Sequence, residues 1–368
     1  MTSGQVILLT GILVACASAL PGTFLLLRRM AMMTDAISHA ILPGLVAGYF
    51  IARGPNLLAG FAGAAVAAIL TVALVEALQN TRRVIGQAAI GLVFPAMFAL
   101  GTVVVSRFFS NVHLDSDAIL YGNIEFSAFE TLELGGLSLG PQSFWIMGGL
   151  CVINLIFLLL FYKELKIATF DPALAAALGF SPIVLHYALM GVLSVTAVGA
   201  FTAVGAILVV ALMIIPAATA YLLTDRLPVM IGLAVAIGAL SALLGFVMAT
   251  TLDASVAGAM ATAAGLLFGL AYFLAPEQGL FARARRQRRQ RASFAVDTLL
   301  VHLLNHEGTA TQAEESRIAH LGDELRWTDG IRDDAITHAL GDGLIAREAD
   351  HLSLTPNGRA TAHEVMTR

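Results

Sequence analysis

Charge is what this chain has least of. Only 12% of its residues are charged while 58% are hydrophobic, which excludes a soluble globular protein and points to a membrane. Lysine is nearly absent, with Lys163 and Lys166 the only two. Neither follows the glycines of a G-x-x-x-x-G-K-[ST] phosphate loop, so no ATP site of that kind is encoded. Cysteine is as scarce. Cys16 and Cys151 both fall in apolar segments, where they read as small core residues rather than a disulfide. Carboxylates in the apolar segments are also few, namely Asp35 and Glu76. A proton-coupled carrier usually needs several, so that class is disfavoured. The first apolar stretch has no basic n-region and no small-residue cleavage site, and reads as a retained helix rather than a signal peptide.

The charge that exists is segregated. Residues 1–280 hold long apolar runs, 281–292 form an arginine-rich juxtamembrane linker, and 293–368 are polar. The expected architecture is an all-α polytopic membrane protein followed by a small cytoplasmic α+β domain. Spans are expected over residues 6–27, interrupted at Pro21-Gly22, and over 34–52, 57–78, 88–105, 143–162, 230–250 and 256–274. The stretch 184–223 is too long for one crossing and contains Gly191, Gly199 and Gly205. Read as one span plus a half-helix it gives eight crossings; read as two it gives nine. Arg82-Arg83, Lys163 with Lys166, and the arginines 283–291 mark the cytoplasmic side, so the tail is expected there. The stretch 106–142, with His113, Asp115, Asp117, Glu125, Glu130 and Glu133, is nearly free of basic residues. It reads as an outer loop, either a solvated one or a collector of cations.

The stretch around which the rest is organised is Thr34 to Gly44. Asp35 and His39 stand four residues apart, so a helix projects them from one face. A carboxylate and an imidazole on adjacent turns can grip one divalent ion, and this mix suits Mn, Fe or Zn better than Ca or Mg. Ionisable groups in apolar surroundings usually mark an ion route. The competing reading makes Asp35 a helix N-cap at the membrane surface and His39 a packing residue.

A second pattern runs from Asp171 to Gly179. Asp171 is an N-cap, Pro172 a first helical residue and Gly179 a C-cap, around Ala173, Leu174 and Leu178. The result is a two-turn cytoplasmic helix, suited to receive a push from a separate ATPase. In the tail, helices are expected over 294–306, 318–325 and 328–340, two short strands over 343–355, and a helix opening at Pro356. That is a winged-helix pattern, but from Ala292 onward six Arg face thirteen Asp plus Glu. A net charge of 6 − 13 = −7 argues against DNA binding. His302 and His306 are also one turn apart, a metal pair or, more commonly, residues of a solvated face.

The run Arg28 to Gly44 resembles the signature of the manganese/zinc/iron ABC transporter permeases. The resemblance continues through Ala89–Phe94, Tyr121-Gly122-Asn123-Ile124, Thr169–Pro172, Val204–Leu208 and Pro216–Ala220. Leu120-Tyr121-Gly122-Asn123 stands where the family commonly has Leu-Phe-Gly-Asn. The resemblance implies eight crossings, an ion path lined by Asp35 and His39, and an ATPase-docking helix after Asp171-Pro172. The tail resembles diphtheria-toxin-repressor-type regulators through Leu340–Ile345 and Leu354–Ala360, although those proteins' metal ligands have no match here. The implied protein is the permease subunit of a bacterial inner-membrane importer for Mn2+, or Zn2+ or Fe2+, with no permanently bound cofactor. Its implied partners are an ATP-binding subunit, a second permease (the same or different), an extracytoplasmic metal-binding protein and the lipid bilayer. Proton-coupled metal carriage and membrane-tethered transcriptional regulation are the rival readings.

Overall fold

In the computed structural model, residues 2–54, 56–108, 124–127, 131–134 and 137–367 are described. The chain divides into two compact units, Met1–Ala275 and Pro276–Arg368. The first unit is helical: α1 (Ser3–Leu27), α2 (Met32–Ile51), α3 (Leu57–Asn80), α4 (Gly86–Phe108), a 3-10 turn (Ile124–Phe126) and a hairpin of β1 (Thr131–Leu134) and β2 (Leu137–Pro141). After these come α5 (Gln142–Leu160), α6 (Tyr162–Phe170), α7 (Pro172–Ala177), α8 (Pro182–Leu223), α9 (Leu227–Leu252) and α10 (Val256–Leu274). Among the described residues eight helices are long and apolar enough to cross a membrane: α1 to α5 and α8 to α10. Their outer faces carry Leu58, Val66, Leu159 and Leu252, all well exposed, as a bilayer rather than water requires.

The innermost helix is α1, enclosed by α5, α8 and α9. The expected break at Pro21-Gly22 does not occur, because α1 runs unbroken to Leu27. Proline has no N–H for the carbonyl four residues back. That carbonyl, on Ala17, accepts instead from Asn154 Nδ2 of α5 at 2.9 Å, and the same amide donates to Thr196 of α8 at 2.8 Å. Gly22 lies so close to α8 that a Cβ there would strike the Met213 carbonyl. Small residues likewise set the α2–α3 crossing, where side chains on Gly44 and Gly63 would each run into the other's carbonyl.

The long helix α8 is not a rod. At Gly205 φ is +78° and ψ 170°, a backbone conformation that glycine adopts readily. Leu189 of the first limb and Leu227, just beyond the second, share one buried cluster with Leu20, Phe24, Leu158 and Leu165. A straight helix of 42 residues would extend about 60 Å and hold those ends apart. The limbs 182–204 and 206–223 therefore fold back on each other. The fifth span also ends earlier than expected, at Leu160. Phe161 (φ −105°, ψ 18°) breaks the helix, and α6 follows as a separate element.

The outer acidic stretch lies mostly outside the described residues, including His113, Asp115, Asp117, Tyr121-Gly122-Asn123 and Glu130. Glu125 is described, and its carboxylate accepts from the Val256 N–H at 3.0 Å. It thus caps the first turn of α10, where negative charge is favoured.

The second unit contains α11 (Leu280–His306), α12 (Gln312–Glu315), α13 (Ile318–Glu324), α14 (Asp329–Gly341), the antiparallel hairpin β3 (Ile345–Glu348) and β4 (His351–Leu354), and α15 (Pro356–Thr367). The arginine-rich stretch forms the start of α11, and the helix does not begin only at residue 294. Val296, Leu299, Leu300 and Leu303 of α11 close over Leu321, Ile336, Ile345, Leu352 and Leu354.

Candidate functional site

Asp35 is the fourth residue of α2. Ala31 occupies the N-cap position and makes no side-chain cap bond, so the capping alternative for Asp35 is excluded. Its Oδ1 lies 3.5 Å from His39 Nε2, with side chains 40% and 27% exposed respectively. These exposures leave the pair open to an incoming ion, unlike Thr34 and Ser38 beside it, which are buried. The imidazole is framed by two rings of α4: Phe94 (centroids 5.0 Å apart, tilted by 37°) and Phe98 (5.6 Å, edge-on). Pro43, four residues on, has no N–H to return to the His39 carbonyl, which frees that oxygen from the helix ladder. Thr34, under Asp35, touches Met213 Sδ of the second α8 limb at 3.4 Å. The arrangement gives a carboxylate oxygen and an imidazole nitrogen in one opening with an aromatic wall.

The short helix α7 forms as its caps dictate. Asp171 Oδ1 accepts from the Leu174 N–H at 2.9 Å, Pro172 is the first helical residue, and Leu178 is the C-cap. Gly179 follows at φ +88°, one position later than expected, and the Phe180 N–H turns back to the Ala175 carbonyl at 3.0 Å. Ala175 is fully buried, while Leu174, Leu178 and Phe170 are 48%, 55% and 62% exposed. An exposed apolar knuckle of this kind suits a partner's groove.

One cluster escaped the sequence. Beside α7, His186 of α8 pairs with Glu76 of α3. Arg28, at the end of α1, reaches His186 Nδ1 at 3.2 Å through Nη1 and donates from Nε to Thr169 Oγ1 at 3.1 Å. Together with Pro172 and Tyr187 they line a cleft of about 760 Å³. Four segments thus meet through these polar contacts immediately next to α7, and Arg28 lies seven residues ahead of Asp35. Arg28, Glu76 and His186 lie far apart in the sequence, and only the fold brings them together.

Comparison with known proteins agrees with this architecture. The family model described as the ABC 3 transport family matches residues 4–275. The zinc transport system membrane protein TroD of Treponema pallidum is 43% identical over 356 residues, 97% of either chain, so that likeness extends well into the second unit. The manganese transport system membrane protein MntD of Bacillus subtilis is 43% identical over 280 residues, covering 76% of this chain and 95% of its own. A solved structure of PsaBC from Streptococcus pneumoniae in complex with Fab superposes with a TM-score of 0.63 at 32% identity, over 76% of this chain and 94% of that one. Eight apolar helices, the short capped helix between the fifth and sixth of them, and this match over three quarters of the length lead to one assignment: the chain is a multi-pass membrane protein that belongs to the ABC 3 transport family.

Proposed function

We propose that this chain is the membrane-spanning permease subunit of an ATP-driven importer for divalent transition-metal ions, manganese first and zinc or iron next. The observation that carries the proposal is the Asp35–His39 pair, one helical turn apart in an apolar helix and open on one side. The zinc and manganese systems named for the relatives support the class of cargo. Asp35 and His39 act as transient ligands for the ion, with binding weak enough to release it. Two such subunits, identical or different, line one path. An extracytoplasmic metal-binding protein delivers the ion, and a separate subunit hydrolyses ATP.

That ATPase engages α7 through Leu174 and Leu178. The cluster of Arg28, Glu76, Thr169 and His186 carries the displacement towards α2. With the two limbs of α8 counted separately, the N-terminus lies outside and the tail is cytoplasmic. Arg82, Arg83, Lys163, Lys166 and Arg226 then all fall on the inner side, as the positive-inside tendency requires. The domains are the permease (1–280), the basic juxtamembrane stretch (281–292) and the tail (293–368). The tail's helices and β3–β4 hairpin support a winged-helix reading, and its acidity supports a role other than DNA binding.

The test is uptake of radiolabelled manganese into vesicles that hold this chain with its ATPase and binding protein, with zinc and iron as competitors. Uptake that needs ATP is expected. Uptake that continues without ATP and collapses with the proton gradient would instead make the chain a secondary carrier.

A further inference from the structure

We infer that the C-terminal unit contains a second metal site, formed by His302, His306 and Glu315, for a divalent ion of the zinc, cobalt or iron(II) type. The sequence presents His302 and His306 as a pair more at home on a solvated face, yet the structure buries His302 to 8% exposure. The two rings lie 4.8 Å apart, centroid to centroid. The third member comes from the next element. Gly308, at φ +76°, turns the chain back after α11, and its N–H is received by Gln312 Oε1 at 2.8 Å. α12 then sets Glu315 beside His302, whose Nε2 lies 3.5 Å from Glu315 Oε2.

One donor atom from each of the three residues lies within 4.8 Å of the others. Around a zinc-like ion with ligand distances of about 2.0–2.2 Å, tetrahedral donors stand about 3.4 Å apart. The His302–Glu315 edge already has that spacing. Ligation trades the 3.2 Å contact of His302 Nε2 with the Glu315 carbonyl for the ion, and closing the rest requires a side-chain adjustment by the less buried His306. Two imidazoles and one carboxylate select borderline transition ions over Mg2+ and Ca2+.

Two features single the cluster out from a chance grouping. Glu315 Oε2 is sealed from solvent and receives no hydrogen bond of good geometry, which is costly for a buried carboxylate and is relieved by a cation. His320 Nε2 also stands 3.3 Å from that oxygen, within reach to orient the carboxylate once an ion is bound. The frame is also fixed from outside. The Leu352 N–H donates to the Ser316 carbonyl at 2.9 Å, and the Ile318 N–H donates to Asp350 at 3.0 Å. An ion here would pin α12 to α11 within this unit.

The inference is independent of the cargo reading, and its test avoids transport. Full-length protein carrying Asp35→Ala and His39→Ala, purified in detergent, is titrated with Co2+ and followed by its visible d–d absorption. One Co2+ per chain with the bands of a low-coordinate ion is expected. Zn2+ should bleach those bands and raise the melting temperature of this unit. His306→Gln, at the less buried position, and Glu315→Gln should each weaken Co2+ binding at least tenfold; His306→Gln should leave the metal-free melting temperature unchanged. Absence of the bands in the parent protein, or bands of equal affinity in His306→Gln, would overturn the site. Neither result bears on whether the chain transports manganese.

Discussion

The two units of this chain pack their helices in different ways, and each sets a histidine one turn from another side chain able to ligate a metal. In Met1–Ala275 particular helix crossings, such as Gly44 against Gly63 and Gly22 against Met213, are set by glycine at backbone contact, and polar links such as Asn154 to Ala17 bridge helices. In Pro276–Arg368 leucine and isoleucine from α11, α14 and the hairpin fill the centre, as the hydrophobic effect in water favours. The polar pairs differ in the same sense. Asp35 and His39 stay 40% and 27% exposed, whereas His302 and Glu315 are enclosed at 8% and 16%. An open pair suits an ion that must leave, and an enclosed one an ion that stays.

The largest stability effect expected from this contrast is in the C-terminal core. Leu300 is fully buried, and Leu300→Ala should cost about 2–5 kcal/mol. Amide hydrogen exchange of α11 and α14 in the full chain would register it. In the membrane unit the damaging direction is reversed, from small to large. Gly63→Ala forces a Cβ onto the Gly44 carbonyl and should cost about 1–3 kcal/mol. Gly232→Ala, with nothing within 4 Å, should be close to neutral in the same detergent melting assay. Equal effects of the two glycine substitutions would mean that close backbone contact does not set the α2–α3 crossing. Asn154→Val leaves the Ala17 carbonyl unpaired beside Pro21 and should cost about 1 kcal/mol in that assay.

The smallest effect is a pH effect. Arg359 donates from Nε to both Glu307 oxygens at 2.9 Å and holds that carboxyl below the usual carboxylate range through the hydrogen bond and its charge. A lowered folded pKa adds stability above the unfolded value of about 4.3, and that contribution fades as pH falls through the lower folded value. Arg359→Gln should therefore lose a little stability at pH 7, and the gap should close in acid.

Asp35 and His39 were legible because ionisable residues stand out in an apolar run, and their spacing needs only a helix. The ends of α7 were legible from Asp171, Pro172 and Gly179, whose preferences are local. Other features depend on partners distant in the chain. Pro21 reads as a break until Asn154, 137 residues from Ala17, takes up the Ala17 carbonyl that the proline orphans. The Arg28–His186 contact joins positions 158 apart, and Glu315 completes the histidine pair only after a turn at Gly308. The glycines of α8 signalled a break somewhere in that run. That Gly205 turns the chain back on itself is visible only from Leu189 and Leu227 sharing one cluster.

Asp35 and His39 are proposed here as ligands on the ion's route. The direct measurement is ATP-driven manganese uptake by Asp35→Ala and His39→Ala, in complexes shown to be assembled and still hydrolysing ATP. Uptake lost in both, with ATP hydrolysis retained, is the predicted result. Normal uptake in either variant would mean that the ion passes elsewhere.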